Sequence, residues 1–263
     1  MRIKNKIVAV TGGGSGIGKA MCEAFHREGA KAVVVADLDG DRAEEVARSV
    51  NGRAFRCDVA NEPDVVRVIE ETEAKLGPID LFCSNAGFMD RTSPPDDATA
   101  APNEVWDRAW NVHVMAHVYA ARALVPRMVA RGGGYFLHTV SAAGLLSQIG
   151  NAVYATTKHA AIGFAEALAI THRDQGIKVS VLCPQGVDTP LLPKSERGAE
   201  SLDGVLSAEE CAAAVVKGLE AEIFLILPHP QVAEYFRNKS VNYDKWLGGM
   251  RKLRRSLRNE TEK

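Results

Sequence analysis

No stretch of the 263 residues has the length or apolarity of a membrane span; pieces such as FLILP (224–228) and AAAVV (212–216) are core-sized. The start, MRIKNKIVAV, runs directly into a strand-like segment without the apolar run of a signal peptide. An excess of charge is also missing: 32 Lys and Arg face 33 Asp and Glu, a net charge of −1. Such a balance gives no global field for attracting nucleic acid or an acidic surface. Cysteine pairing is absent too. The five cysteines, Cys22, Cys57, Cys83, Cys183 and Cys211, are odd in number and show no CxxC spacing. Neither a disulfide framework nor a thiolate metal site is expected, and reduced thiols suit a cytoplasmic protein. Nucleic acid, a membrane and a thiolate-bound metal are therefore not expected as partners.

What the sequence does contain is alternation. Short β-branched runs at 7–10, 32–36, 54–57, 81–84, 135–140, 179–183 and 223–227 are separated by amphipathic stretches at 16–28, 62–76, 104–131, 152–174 and 208–220. Uniformly apolar strands alternating with helices predict an α/β protein: one doubly wound parallel sheet of about seven strands, covered on both faces. Residues 1–243 read as one Rossmann-type domain, and 244–263 as a basic amphipathic tail. Two long polar loops, 89–102 and 189–204, follow strands at their carboxyl ends, where open α/β sheets bind ligands.

IVAVTGGGSGIGKAMCEAF reads as strand, glycine turn, helix. Gly12, Gly16 and Gly18 would let the backbone approach a pyrophosphate, Ser15 lies within the turn, and the helix start offers unpaired N–H groups. Nineteen residues beyond Gly18 stands Asp37, at the end of KAVVVAD. A carboxylate there can accept both ribose hydroxyls of NAD and repel a 2′-phosphate; its sequence neighbour is the uncharged Leu38. The plain structural alternative is an Asp that caps helix 41–49.

Tyr-x-x-x-Lys occurs twice, at Tyr154/Lys158 and Tyr235/Lys239, and either pair would sit one turn apart on a helix. Only Tyr154 has a serine, Ser141, thirteen residues before it and directly after a strand. The second pair reads as coincidence. With TGGGSGIG (11–18), CDV (57–59), NAG (85–87), Asn111, Ser141 and YATTK (154–158), residues 5–230 resemble the short-chain dehydrogenase/reductase family. The resemblance implies an oxidoreductase that interconverts a secondary alcohol and a ketone. Tyr154 would be its general base and acid, Lys158 would favour the phenolate and bind the nicotinamide ribose, Ser141 would hold the substrate oxygen, and Asn111 would anchor a relay water. It further implies that Asp58 meets the adenine with Val59 beside it, and that Asn85 and Gly87 line the cofactor floor. Ile17 would supply an amide near the pyrophosphate, while Val187 and Thr189 would contact the carboxamide end. Family members commonly pair helices 104–131 and 152–174 between subunits, so a dimer or tetramer is implied.

One position departs from the family. PQGVDTP carries Gln185 where glycine is usual, which suggests a side chain facing substrate. Leu145, Leu146 and Gln148 are expected near the reacting carbon, and Leu191, with Phe88, Met89 and Leu192, opposite them. No charge lies in these stretches; Arg91 and Lys194 are the nearest cations in the sequence. His113 and His117, spaced as a possible metal pair, have no obvious third ligand and read as packing. The tail DKWLGGMRKLRRSLRNETEK has apolar residues at helical spacing, consistent with docking on this or a neighbouring subunit, or with an anionic surface. The reading is an NAD-dependent alcohol dehydrogenase. An NADP-dependent reductase of 3-ketoacyl or polyketide-type ketones is the runner-up, and a catalytically silent cofactor sensor ranks last.

Overall fold

Residues 8, 10, 33 and 35 pack against one face of a sheet, and residues 7, 9, 34 and 36 against the other. That period of two, apolar on both sides, is what a parallel sheet with helices on both faces requires. The computed structural model describes residues 1–192 and 198–261, so Lys194 lies outside the described residues. Its strands are β1 (Ile7–Thr11), β2 (Ala32–Asp37), β3 (Arg53–Arg56), β4 (Leu81–Ser84), β5 (Gly134–Thr139), β6 (Ile177–Leu182) and β7 (Leu225–Ile226). All pair in parallel in the order β3-β2-β1-β4-β5-β6-β7. The direction of winding reverses between β1 and β4, and that is where such sheets open a crevice at their carboxyl ends.

One layer holds α1 (Gly16–Arg27), α2 (Gly40–Ser49) and α7 (Ala208–Ala221); the other holds α3 (Glu62–Lys75), α4 (Asn103–Trp110), α5 (Ala116–Ala130) and α6 (Ala152–His172). Local chemistry sets the helix starts. Asp39, Asn61 and Asn151 accept the N–H of Arg42, Asp64 and Tyr154, and Ser207 with Glu210 forms a reciprocal capping box on α7. α8 (Gln231–Val241) and α9 (Tyr243–Thr261) complete the chain.

Two elements differ from the expectation. The helix predicted over 104–131 is interrupted by a π turn, Asn111–Met115, in which the Ala116 N–H bonds the Asn111 carbonyl five residues back. Strand 223–227 shrinks to two residues, because as the edge it has a partner, β6, on one side only. Among the described residues no helix is long and apolar enough to cross a membrane.

Candidate active site

A cavity of about 310 Å³ opens over the β1–β4 crevice. Its floor begins at the glycine turn. Gly12 adopts φ +63°, and a Cβ there would stand 2.8 Å from the Ala86 Cα; one on Gly18 would stand 2.0 Å from the Gly12 carbonyl oxygen. Only glycine permits this approach of turn, helix and β4 loop. Ser15, the N-cap of α1, makes no side-chain hydrogen bond to the helix, so the first α1 amides, Gly16, Ile17 and Gly18, face the cavity without an intrahelical partner. Asn85 holds the turn in place: its Nδ2 donates to the Thr11 and Gly12 carbonyls at 3.1 and 3.3 Å. A cradle of free amides at the positive end of a helix fits a pyrophosphate.

Asp37 closes one end of the cavity. Its Oδ2 accepts the Gly14 N–H at 2.9 Å and its Oδ1 the Asp39 N–H at 3.0 Å. The fold brings two cations near it that the linear neighbourhood did not show. Arg42 packs beside Gly14 and pairs with Asp39 at 3.2 Å, and Arg56 stands opposite Asp37 across the β2–β3 ladder. Asp58, Val59, Asn85, Gly87, Val187 and Thr189 all line the same cavity. Thr189 Oγ1 donates to the Val187 carbonyl at 3.3 Å, keeping the short connection after β6 folded back over the cleft.

At the other end Ser141, Tyr154 and Lys158 converge. Ser141 follows β5 and Tyr154 lies in the first turn of α6, so strand and helix together set their separation. Ser141 Oγ donates to the Pro184 carbonyl at 3.5 Å and accepts the Ala143 N–H at 3.1 Å. Lys158 Nζ lies 5.5 Å from the Tyr154 ring centroid and donates to the Thr139 carbonyl at 3.4 Å. Tyr154 is 7% and Lys158 3% exposed. Burial decides both acidities. It pushes the phenol up to about 12, opposed by the nearby Ser141 hydroxyl, with Cys183 and Glu200 adding to the rise. It lowers the ammonium to about 8. Without cofactor, burial therefore keeps Tyr154 a phenol; the phenolate is expected with both the ammonium and an oxidised nicotinamide beside it.

The fourth expected residue, Asn111, opens the π turn, half-buried and outside the residues lining the cavity. π bulges often mark functional sites, because they re-aim carbonyls that a regular helix would consume. Gln185 and Gln148 do line the cavity, as do Phe88, Met89, Leu191 and Leu192. Leu145 does not. It is 5% exposed within the core, because the 3₁₀ turn Ala142–Gly144 rotates it inward and presents Leu146 to a neighbouring cavity instead.

Sequence reasoning missed two residues here. Arg108 lines the cleft with its guanidinium 4.4 Å from the centre of the Phe88 ring. Glu200 lines it with Oε2 accepting from Gln148 Nε2 at 3.1 Å. Charge therefore enters the cleft from outside the stretches expected to form it. His113, expected as packing, is buried. The Phe88 N–H donates to its Nε2 at 3.3 Å, which leaves the proton on Nδ1 for Thr157 Oγ1 at 2.9 Å. One buried ring thus ties the loop after β4 to α6. His117 turns elsewhere, to His138 at 2.9 Å, so the two do not converge as metal ligands. Tyr235 and Lys239 stand apart from the cleft. Tyr235 donates to Asp203 at 2.9 Å, and Lys239 donates to the Leu145 and Leu146 carbonyls at 2.7 and 2.9 Å.

The doubly wound sheet thus carries an amide-lined crevice at its switch point, with a half-buried serine and a buried Tyr-Lys pair at one end. The family comparison makes this an oxidoreductase acting on hydroxyl or ketone groups. The family model for short chain dehydrogenases matches residues 6–200, and the chain belongs to that family. It is 37% identical over 234 residues to 1-deoxy-11-beta-hydroxypentalenate dehydrogenase of Streptomyces exfoliatus, covering 86% of this chain and 84% of that one. Epidermal retinol dehydrogenase 2 of Homo sapiens is 27% identical over 236 residues, covering 86% and 75%. Among solved structures, 3-ketoacyl-(acyl-carrier-protein) reductase from Brucella melitensis, complexed with NADH, aligns with a TM-score of 0.77 at 27% identity, covering 86% of this chain and 96% of that one.

Proposed function

We propose that this oxidoreductase uses NAD to interconvert a secondary alcohol and its ketone, with Ser141, Tyr154 and Lys158 in the cleft and Asn111 behind them. The observation that carries the cofactor choice is Asp37. Its carboxylate lines the cleft beside the glycine turn, within hydrogen-bond distance of the Gly14 amide, where it can accept a ribose hydroxyl and would repel a 2′-phosphate.

When bound, the nicotinamide supplies the hydride acceptor or donor and, oxidised, a positive charge over the cleft. The glycine-turn amides, with Asp58, Val59, Asn85, Gly87, Val187 and Thr189, would hold and orient it. Ser141 Oγ fixes the substrate oxygen beside the Tyr154 phenol. In reduction, Tyr154 gives its proton to the carbonyl oxygen, a task suited to a phenol kept protonated by burial. In oxidation, Tyr154 takes the alcohol proton, and Lys158, one turn along α6, stabilises the resulting phenolate. Asn111, at the π turn, would hold a water that passes that proton outward. Gln185 faces substrate at the cleft mouth.

The test is to follow NADH formation with NAD and with NADP across cyclic, aromatic and steroidal secondary alcohols. Turnover favouring NAD, lowered about a thousandfold or more in Tyr154→Phe with NADH binding retained, is the expected result. The NADP-dependent reductase of acyl-type ketones is favoured by Arg42 beside the glycine turn, and a preference for NADPH would replace NAD in this reading.

A further inference from the structure

The connection after β6 carries three residues of the cleft, Gln185, Val187 and Thr189. Three of its amides are tied to main-chain carbonyls: Cys183 to Ile226 at 3.0 Å, Gly186 to Glu200 at 2.7 Å and Asp188 to Leu206 at 2.8 Å. Gln185 is the exception. Its N–H donates to a side chain, Nδ1 of His229, at 3.1 Å. His229 is 3% exposed and stands between Pro228 and Pro230, in the turn from β7 to α8. Proline on both sides restricts that backbone, and the His229 carbonyl accepts the Val232 N–H at 3.2 Å as α8 begins. α8 is anchored in turn. Lys239 holds the Leu145 and Leu146 carbonyls and lies 5.0 Å from the ring centroid of Trp246 in α9, and Arg254 ties α9 to Asp96 at 2.8 Å. The basic tail thus packs on its own chain, and the imidazole is offered to the connection from a fixed base.

An acceptor on an imidazole is conditional. A neutral ring that accepts at Nδ1 carries its proton on Nε2, whereas the imidazolium donates at both nitrogens. Protonation would set an N–H against the Gln185 N–H where neither can turn to water. The main-chain carbonyls that hold the neighbouring amides have no such second state. His229 Nε2 is buried without a hydrogen-bond partner among the described residues, so among them the ring's polar tie is the one to Gln185. The charged groups that act on the ring are both acidic: Asp203, in the loop before α7, which Tyr235 engages, and Glu210, in the α7 capping box. Burial outweighs them, together with the nearby Gly186 and Gly204 backbone, and holds the ring below the ordinary histidine value. It is therefore neutral at pH 7 and takes up its proton only as pH falls below about 6.5.

We propose that His229 is a positioning residue for the cleft: its neutral ring holds the connection after β6 so that Gln185, Val187 and Thr189 face the cavity, and its protonation releases them. The proposal rests on the reading of Val187 and Thr189 as cofactor contacts and adds a proton-dependent hold on that cofactor.

Two substitutions test it. His229→Asn keeps an acceptor on the atom bonded to Cγ, where Nδ1 stands, but cannot titrate. His229→Leu keeps the volume and has no acceptor. Titrations with NADH and NADPH at pH 7.5, followed by coenzyme fluorescence, should give a Kd about tenfold higher in His229→Leu, and within about twofold of the unmodified protein in His229→Asn. From pH 7.5 to 5.5 the Kd of the unmodified protein should rise several-fold relative to that of His229→Asn, a change that lost packing would not produce. Amide NMR without ligand reads the tie itself. The Gln185 N–H signal should follow the titration of His229 in the unmodified protein and shift in His229→Leu. A Gln185 signal indifferent to both, His229→Asn as weak as His229→Leu, or a Kd ratio constant with pH would overturn the proposal. Binding of NADPH alone would replace NAD in the reading above and leave this test in place. Binding of neither coenzyme would remove the cofactor reading, while the Gln185 signal still decides the tie.

Discussion

In the proposed NAD reading one side chain, Asp37, carries the cofactor preference, and the fold complicates it. At the end of β2 its carboxylate already receives two backbone N–H groups, so its position is fixed before any ligand arrives. Fixed acceptors cost less entropy to use than mobile ones. Asp37→Ala removes both the ribose acceptors and the charge opposing a 2′-phosphate, leaving Arg42 and Arg56 nearby. The expected outcome is a rise of about 10–100-fold in KM for NAD together with gained use of NADP. Initial rates with both cofactors check it, and an unchanged NAD/NADP ratio would remove Asp37 from the cofactor site. Tyr154 and Lys158 make a related point. Their roles are implied by the family resemblance, but their acidities are set by burial.

At the scale of elements, the segment from Asn103 to Ala130 matters most, because it is not one regular helix. The π turn at Asn111 adds a residue to one turn and rotates the start of α5 around the helix axis. His113, within that turn, becomes the fastener between the loop after β4 and α6. Thr157 completes it, passing its own hydroxyl proton back to the Val153 carbonyl at 2.9 Å. His113→Ala leaves the Phe88 N–H unpaired and a hole beside Tyr154. A loss of about 3 kcal/mol, or a melting temperature lower by roughly 6–12 °C, is expected, with a higher KM for cofactor because Gly87 and Lys158 flank the ring. Thr157→Val should reproduce part of both effects. If melting falls while cofactor KM stays put, the ring serves stability alone.

For the whole molecule, the distribution of buried titratable groups sets a pH window. His113, His117 and His138 are neutral in the interior, held well below the ordinary histidine value by burial, His138 at about 3. Below the unfolded value the unfolded chain binds protons that the folded chain refuses. Stability is thus fully present above about 6.5 and is lost as pH falls, by roughly 1.4 kcal/mol per unit for each such histidine. On the alkaline side all five cysteines are buried with raised values, Cys57, Cys183 and Cys211 at about 12. The unfolded chain gives up those protons first, so stability falls again above about 8.5. Melting temperature should therefore be flat between these limits and drop on both sides. Replacing the His117–His138 pair by leucines should flatten the acid limb, and a melting temperature unmoved between pH 7 and pH 5 would show that these histidines are charged in the fold.

The sequence by itself determined the sheet and the strand–glycine–helix turn, both written locally in apolar runs of strand length and a glycine cluster before a helical stretch. Ser141, Tyr154 and Lys158 are singled out by their combined resemblance to a family and not by spacing alone, since Tyr-x-x-x-Lys occurs twice. Tertiary structure alone decided that Leu145 turns into the core, that a π turn interrupts the helix at Asn111, and that the amphipathic tail packs on its own chain. It also decided that Glu200 meets Gln148 and that Lys239 reaches the Leu145 carbonyl across 94 residues of chain. Such contacts leave no local signature. They are selected by which polar groups the completed fold buries and must therefore pair, a condition that exists only once every element is in place.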